Sequence, residues 1–200
     1  MYSPPPNAQQ LSDDPVTRCR QIITILRMIV FALFAGLLII TSIFAVLVYG
    51  IIGPPIPGGV PLFGPGHPGL TLVGAVILVA DLLAVYFVSR GTISSFQRRL
   101  GPLDVPPLDR FAPDPNDLTW TEQVPKAQLF PALDMYNTHQ LTRVAMIEGA
   151  GVLNAVFFFL EGEIIGLAIV SCTLALLATH FPSPASLNRW LRTVLQGAPE

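Results

Sequence analysis

Apolar positions in this chain are gathered into long, nearly unbroken runs instead of recurring at the period of an amphipathic helix or a half-buried strand. Crossing about 30 Å of hydrocarbon at about 1.5 Å of rise per residue takes about 20 apolar residues. Four stretches meet or approach that length: Met28 to Tyr49 (with helix permitted from Ile22), Leu70 to Val88, Val144 to Leu160, and Ile164 to Phe181. Only Glu161, Gly162 and Glu163 separate the last two, so they are predicted to fold back on each other. One continuous helix of about 38 residues would overshoot the bilayer. The predicted fold class is an all-α integral membrane protein with four transmembrane helices arranged as two antiparallel hairpins.

Polar and proline-rich segments punctuate these runs. Residues 1–20 read as a disordered polar segment, and 21–90 as the first hairpin. Its connecting loop, GIIGPPIPGGVPLFGPGHPG, is uncharged and too rich in proline and glycine for regular structure. Residues 91–135 form a Pro-rich loop that is predicted to be extended or turned and not to make a domain of its own. From Pro131 the pattern becomes helical and leads into the second hairpin, 136–181. In the tail, 182–200, Ser183 is placed as an N-cap with Pro184 at the first helical position. Leu187, Trp190, Leu191, Val194 and Leu195 then share one face, opposite Asn188, Arg189, Arg192 and Gln196. Such a helix beside a membrane exit is expected to lie in the lipid interface, the alternative being that it packs on the inner loop.

Composition agrees with this picture: 52% of the 200 residues are hydrophobic and 12% are charged, against about 25% charged in soluble domains. The mean hydropathy is +0.59. A net charge of −2 with no basic stripe argues against a nucleic-acid partner. Cys19 and Cys172 fall on different elements and are read as free thiols. The beginning of the chain lacks the layout of a secretory signal, so the first run is read as a retained span.

The eleven basic residues set the orientation. Arg18, Arg20 and Arg27 precede the first run, and Arg90, Arg98, Arg99, Arg110, Lys126 and Arg143 lie between the second and third. Arg189 and Arg192 follow the fourth, and none falls in the other two connections. Both termini are therefore predicted on the cytoplasmic side, in a membrane read as the bacterial cytoplasmic membrane.

Two carboxylates lie inside the runs, where a charge costs about 2.5–3.5 kcal/mol on the mildest scale. Asp81 is roughly 16 Å in from Leu70, and Glu148 roughly 18 Å in from Leu160, at about 1.5 Å per residue. Two acids at one depth read either as a proton or cation site or as polar packing. Asn154 and Thr173 belong to the same candidate site, because the turn at Gly162 sets position 148 opposite about 176. Thr173 and Thr179 are candidate hydrogen-bond donors to Glu148, while Arg27 and Arg143 are its candidate ion-pair partners. Small residues (Ala145 with Gly149, Gly151 with Ala155, Ala168 with Cys172, Ala175 with Thr179) are expected to permit close helix contact.

The stretch TRVAMIEGAGVLNAVFFFLEGE resembles locally the carboxylate helix of the ATP synthase rotor proteolipids, in setting Glu148 among Ala145, Gly149, Ala150 and Gly151. More broadly, the plan resembles small uncharacterised bacterial four-span membrane proteins, with an inner loop leading into a Thr-Arg…Glu-Gly helix and a Phe-Pro exit. That resemblance implies architecture and no activity.

No catalytic constellation, cofactor loop or metal-ligand set is read in the sequence: His67, His139 and His180 do not converge with a third ligand. The expectation is a non-enzymatic structural or accessory subunit of a membrane assembly, partnered by lipid and by other subunits or copies of itself. The alternative is an oligomeric proton-coupled or ion-conducting transporter using Asp81 and Glu148.

Overall fold

A computed structural model describes residues 14–52, 69–100, 114–162 and 164–196. The readings made above for 1–13, for most of the loop between the first two runs, for 101–113 and for the last four residues lie outside the described residues.

Every regular element among the described residues is helical. In chain order they are α1 (Pro15–Val46), a π-helical turn (Leu47–Ile52), α2 (Gly69–Leu100), a short 3-10 turn (Thr119–Gln123), α3 (Lys126–Glu161), α4 (Ile164–Thr179) and α5 (Pro184–Gln196). Three segments are long and apolar enough to cross a membrane: Pro15–Ile51, Gly69–Val88 and Lys126–Glu161. A fourth is added if α4 and α5, bent by 73° at their break, are counted together.

The helices outrun the apolar stretches at their polar ends, and local chemistry explains where they start. Residues 14–20, read above as part of a disordered segment, are capped into α1. Asp14 accepts the Thr17 backbone N–H at 2.9 Å and the Thr17 hydroxyl as well, with Pro15 at the first helical position. The Thr17 hydroxyl, then its amide, hold the Asp14 carboxyl below 3.8. The cap is thus fully present above the ordinary carboxylate range and is lost as pH falls through the depressed value. α3 begins at Lys126, ahead of the expected Pro131, which sits exposed inside the helix. Its missing N–H costs one helical bond close to the N-terminus.

The chain divides into two compact units, and α1, α2 and α3 contribute residues to both. The first holds residues 1–28, 89–141 and 182–200. Its core gathers Cys19, Ile23 and Leu26 of α1, Leu129, Leu133 and Tyr136 of α3, and Leu187, Leu191 and Leu195 of α5. Residues 114–125, expected to be extended or turned loop, contribute Leu118, Trp120 and Val124 to the same core.

The interfacial reading of the tail is corrected here. The apolar face of α5 is covered by protein: Leu187 and Leu191 are 0% exposed, and Trp190, 8% exposed, packs 5.3 Å from the Tyr136 ring. Asn188, assigned above to the water-facing side, is 2% exposed. It donates to the carbonyls of Pro115 at 2.9 Å and Asp117 at 3.1 Å, and accepts from Arg192 Nε at 3.0 Å. An amphipathic stripe asks only for an apolar neighbour, and here that neighbour is the 114–136 region. Ser183 caps α5 as predicted, accepting the Ser186 N–H at 3.1 Å while its own N–H goes to the Ser186 hydroxyl at 3.0 Å. Burial without a hydrogen-bonded cation pushes the Cys19 thiol up to about 11.

The second unit comprises residues 29–88 and 142–181. Its core is built from Val30 and Leu37 of α1, Val144, Ile147 and Ala155 of α3, and Val170 and Leu177 of α4. Large apolar side chains such as Phe31, Leu72, Val76, Phe87 and Ile164 are exposed on its outside. Exposure on this scale suits a surface that faces lipid.

Candidate functional site

Within the second unit, α3 is the helix against which the others pack. The seam with α4 starts from Gly162, whose φ of +67 places the backbone in the left-handed region and whose N–H bonds the Phe158 carbonyl at 2.8 Å. Contacts then step away from this turn on both sides. A Cβ on Gly166 would lie 3.0 Å from that of Phe158. A Cβ on Gly151 would lie 2.8 Å from Thr173 Cγ2 and 2.6 Å from Leu37 Cδ2 of α1. Further along, Arg143 Nη2 lies 3.2 Å from His180 Nε2. This is the register expected from a turn centred on Gly162, with position 148 level with about 176. Gly151 is where three helices come closest, and only a residue without a Cβ fits there.

The other small pairs fall differently. Ala145 and Gly149 are exposed, with nothing within 4 Å of a Cβ built on Gly149. Ala168, Cys172, Ala175 and Thr179 line the exposed side of α4. Helix contact uses the Gly166, Val170, Thr173 and Leu177 stripe instead.

The seam between α2 and α3 is polar. Glu161, at the last position of α3, accepts the backbone N–H groups of Leu70 at 2.7 Å and Thr71 at 2.8 Å, together with the Thr71 hydroxyl. A carboxylate here meets the unsatisfied amides and the positive end of the α2 dipole, both of which favour an anion. Two turns along α3, Asn154 is 1% exposed and donates to the carbonyls of Gly74 at 3.2 Å and Ala150 at 2.8 Å. Its Oδ1 accepts no hydrogen bond and lies 2.1 Å from where a Cβ on Gly74 would stand. Gly74 is therefore the contact point of α2, and Asn154 holds it. The sequence reading placed Asn154 in the site but missed Glu161. The signal available was an acid at the end of one run and a run beginning at a Gly-Leu-Thr N-terminus.

The third seam joins α1 and α3, which run parallel. Phe44 stacks on Phe159 with ring centroids 4.8 Å apart, and Leu37 meets Gly151. Glu148 shares a stripe with buried Val144 and Ala155 and with Phe159, at spacings of four, seven and eleven residues. It therefore belongs to the flank of α3 that faces α1.

These seams locate the two acids. Asp81 is seven residues beyond Gly74 and four before buried Val85, so it lies on the side of α2 that faces α3. From the Gly74–Asn154 contact, Asp81 is about 10 Å along α2 and Glu148 about 9 Å along α3 toward the same end. Both are half-buried and level with each other along the helices. Yet the six residues from Glu148 to Asn154 turn the helix by about 120°, which sets the acids on different flanks of α3. Neither has a hydrogen bond or ion pair among the described residues.

The proposed partners of Glu148 are engaged elsewhere. Arg27 Nε donates to the Pro182 carbonyl at 2.9 Å, and Arg143 meets His180. Thr173 gives its hydroxyl to Ile169 O at 3.0 Å, and Thr179 gives its own to Leu176 O at 2.7 Å. Among the described residues there is no cluster of three or more His, Cys, Asp or Glu that could hold a metal ion. No protein family, curated protein or solved structure matches this chain.

Proposed function

We propose that this protein is a non-enzymatic accessory or structural subunit of a membrane assembly. In this reading its four helical crossings leave both termini in the cytoplasm of a bacterial cell. The observation that carries the subunit role is the pair of half-buried acids, level along the helices, on different flanks of α3 and without a hydrogen-bond or ion-pair partner among the described residues. A carboxylate at membrane depth is costly, and a donor supplied by another chain would offset that cost. Parallel packing of α1 on α3, with α2 and α4 antiparallel to α3, supports four crossings. α4 has 16 residues, about 24 Å, and needs local thinning of the bilayer or a few flanking residues to complete its crossing.

The test is the size of the particle extracted from native membranes into polymer nanodiscs, compared for wild type, Asp81→Leu and Glu148→Leu. The expected result is a wild-type particle larger than one chain, reduced to one chain by either substitution. A single-chain wild-type particle would overturn this reading, and proton flux in liposomes from the self-associated chain, abolished by Glu148→Gln, would replace it by the oligomeric transporter. The equal depth of the two acids is what favours that second reading.

A further inference from the structure

The inner end of the α3–α4 hairpin is closed by a contact that only an uncharged imidazole can make. His180 follows the last residue of α4, and its Nδ1 lies 2.8 Å from the Leu176 carbonyl, an oxygen that can only accept. Nδ1 therefore carries the proton, and the Thr179 hydroxyl, 3.2 Å away, is a second neighbour of the same nitrogen. That tautomer leaves Nε2 as an acceptor, and Arg143 Nη2 donates to it across 3.2 Å. The bond joins α3 to α4 at the end opposite Gly162 and belongs to the same register as the Gly151–Thr173 contact.

We propose that His180 is a proton-operated latch: protonation closes Nε2 as an acceptor and separates the α3 and α4 ends at Arg143. The balance is simple. A proton binds Nε2, the Arg143 N–H loses its acceptor, and two cations are left facing each other, whatever other bonds Arg143 makes. The remaining titratable groups of this unit do not relieve that opposition. Among the described residues, the 29–46 stretch of α1 contributes none, the π-helical turn contributes Tyr49, α2 contributes Asp81 and Tyr86, α4 contributes Cys172, and α3 contributes Glu148 and Glu161 besides Arg143; His139, one turn before Arg143, and Arg27, which bonds the Pro182 carbonyl, bring no negative charge. None of these hydrogen-bonds His180. Burial, and then the Arg143 guanidinium, hold the His180 imidazole below its ordinary value of 6.5, so the latch is closed at pH 8 and opens only on acidification below that value. This inference is independent of the subunit proposal, because it concerns one hairpin within one chain.

The experiment places nitroxide labels at Ala145→Cys and Ala175→Cys, both exposed, in a Cys172→Ser background, with the full chain in lipid nanodiscs. The label–label distance is then read by pulsed electron resonance at pH 8 and at pH 4.5, well below the ordinary imidazole value. Wild type is expected to lengthen on acidification. His180→Gln, which keeps an acceptor that does not titrate, is expected to stay short at both values. Arg143→Gln is expected to lose the response although His180 still titrates. Equal distances in wild type at the two pH values, or a His180→Gln variant that lengthens as wild type does, would overturn the latch.

Discussion

Single residues decide how closely these helices approach, and two neighbouring glycines show it. Gly151→Ala puts a methyl 2.6 Å from Leu37 Cδ2 and 2.8 Å from Thr173 Cγ2, and is expected to destabilise by about 1–3 kcal/mol. Gly149→Ala meets nothing within 4 Å and exchanges glycine for the best helix former, so it is expected to be neutral or stabilising by up to about 1 kcal/mol. Thermal unfolding of both variants in detergent reads the difference, and an equal loss from the two would contradict the assigned seam. Glu161→Ala removes the anion that receives two backbone amides and a hydroxyl of α2, a loss of about 2–3 kcal/mol in the same assay. Glu161→Gln keeps the shape and part of the bonding and should lose about half as much. For the thiols, Cys19 is buried with its pKa raised to about 11, whereas Cys172 is exposed. A maleimide at pH 7 in detergent should therefore modify Cys172 and spare Cys19 until the protein unfolds.

At the scale of elements, α5 is the instructive case. Its stripe of Leu, Trp and Val was legible in the sequence, as was its cap at Ser183, but what the stripe packs against was not. Apolar area is non-directional, and lipid or protein satisfies it equally. The deciding residues are Leu118, Trp120 and Val124, which sit in a proline-rich stretch without helical periodicity and so leave no pattern to read. Truncating Leu191 to alanine should cost about 2–5 kcal/mol through the cavity it leaves. In a Trp120→Phe background, Trp190 emission should be insensitive to brominated lipids. Strong quenching would return α5 to the membrane surface.

For the whole molecule, topology is open to direct measurement. With the native cysteines replaced, a cysteine at Gly162 should react with an impermeant reagent from outside intact cells, and one at Asn116 should not. The order of helices, the register about Gly162 and the common level of both acids along their helices could be derived from length and rise alone, because those quantities count residues. The flank of α3 on which each acid falls could not, since the rotation of each helix about its axis depends on contacts such as Gly74 on Asn154. Those are set by residues far apart in sequence.

That distance in sequence also bears on how the protein is made. The amides of Leu70 and Thr71 wait for a carboxylate 91 and 90 positions later, and Gly74 for an amide 80 positions later. At about 5–20 residues per second, the ribosome takes roughly 5–20 s to supply them. Until then the first turn of α2 lacks the carboxylate that caps it in the folded chain. A nascent chain stalled after Leu100 should accordingly stay bound to an insertase or be degraded, and one stalled beyond Glu161 has left the ribosome should be released into lipid.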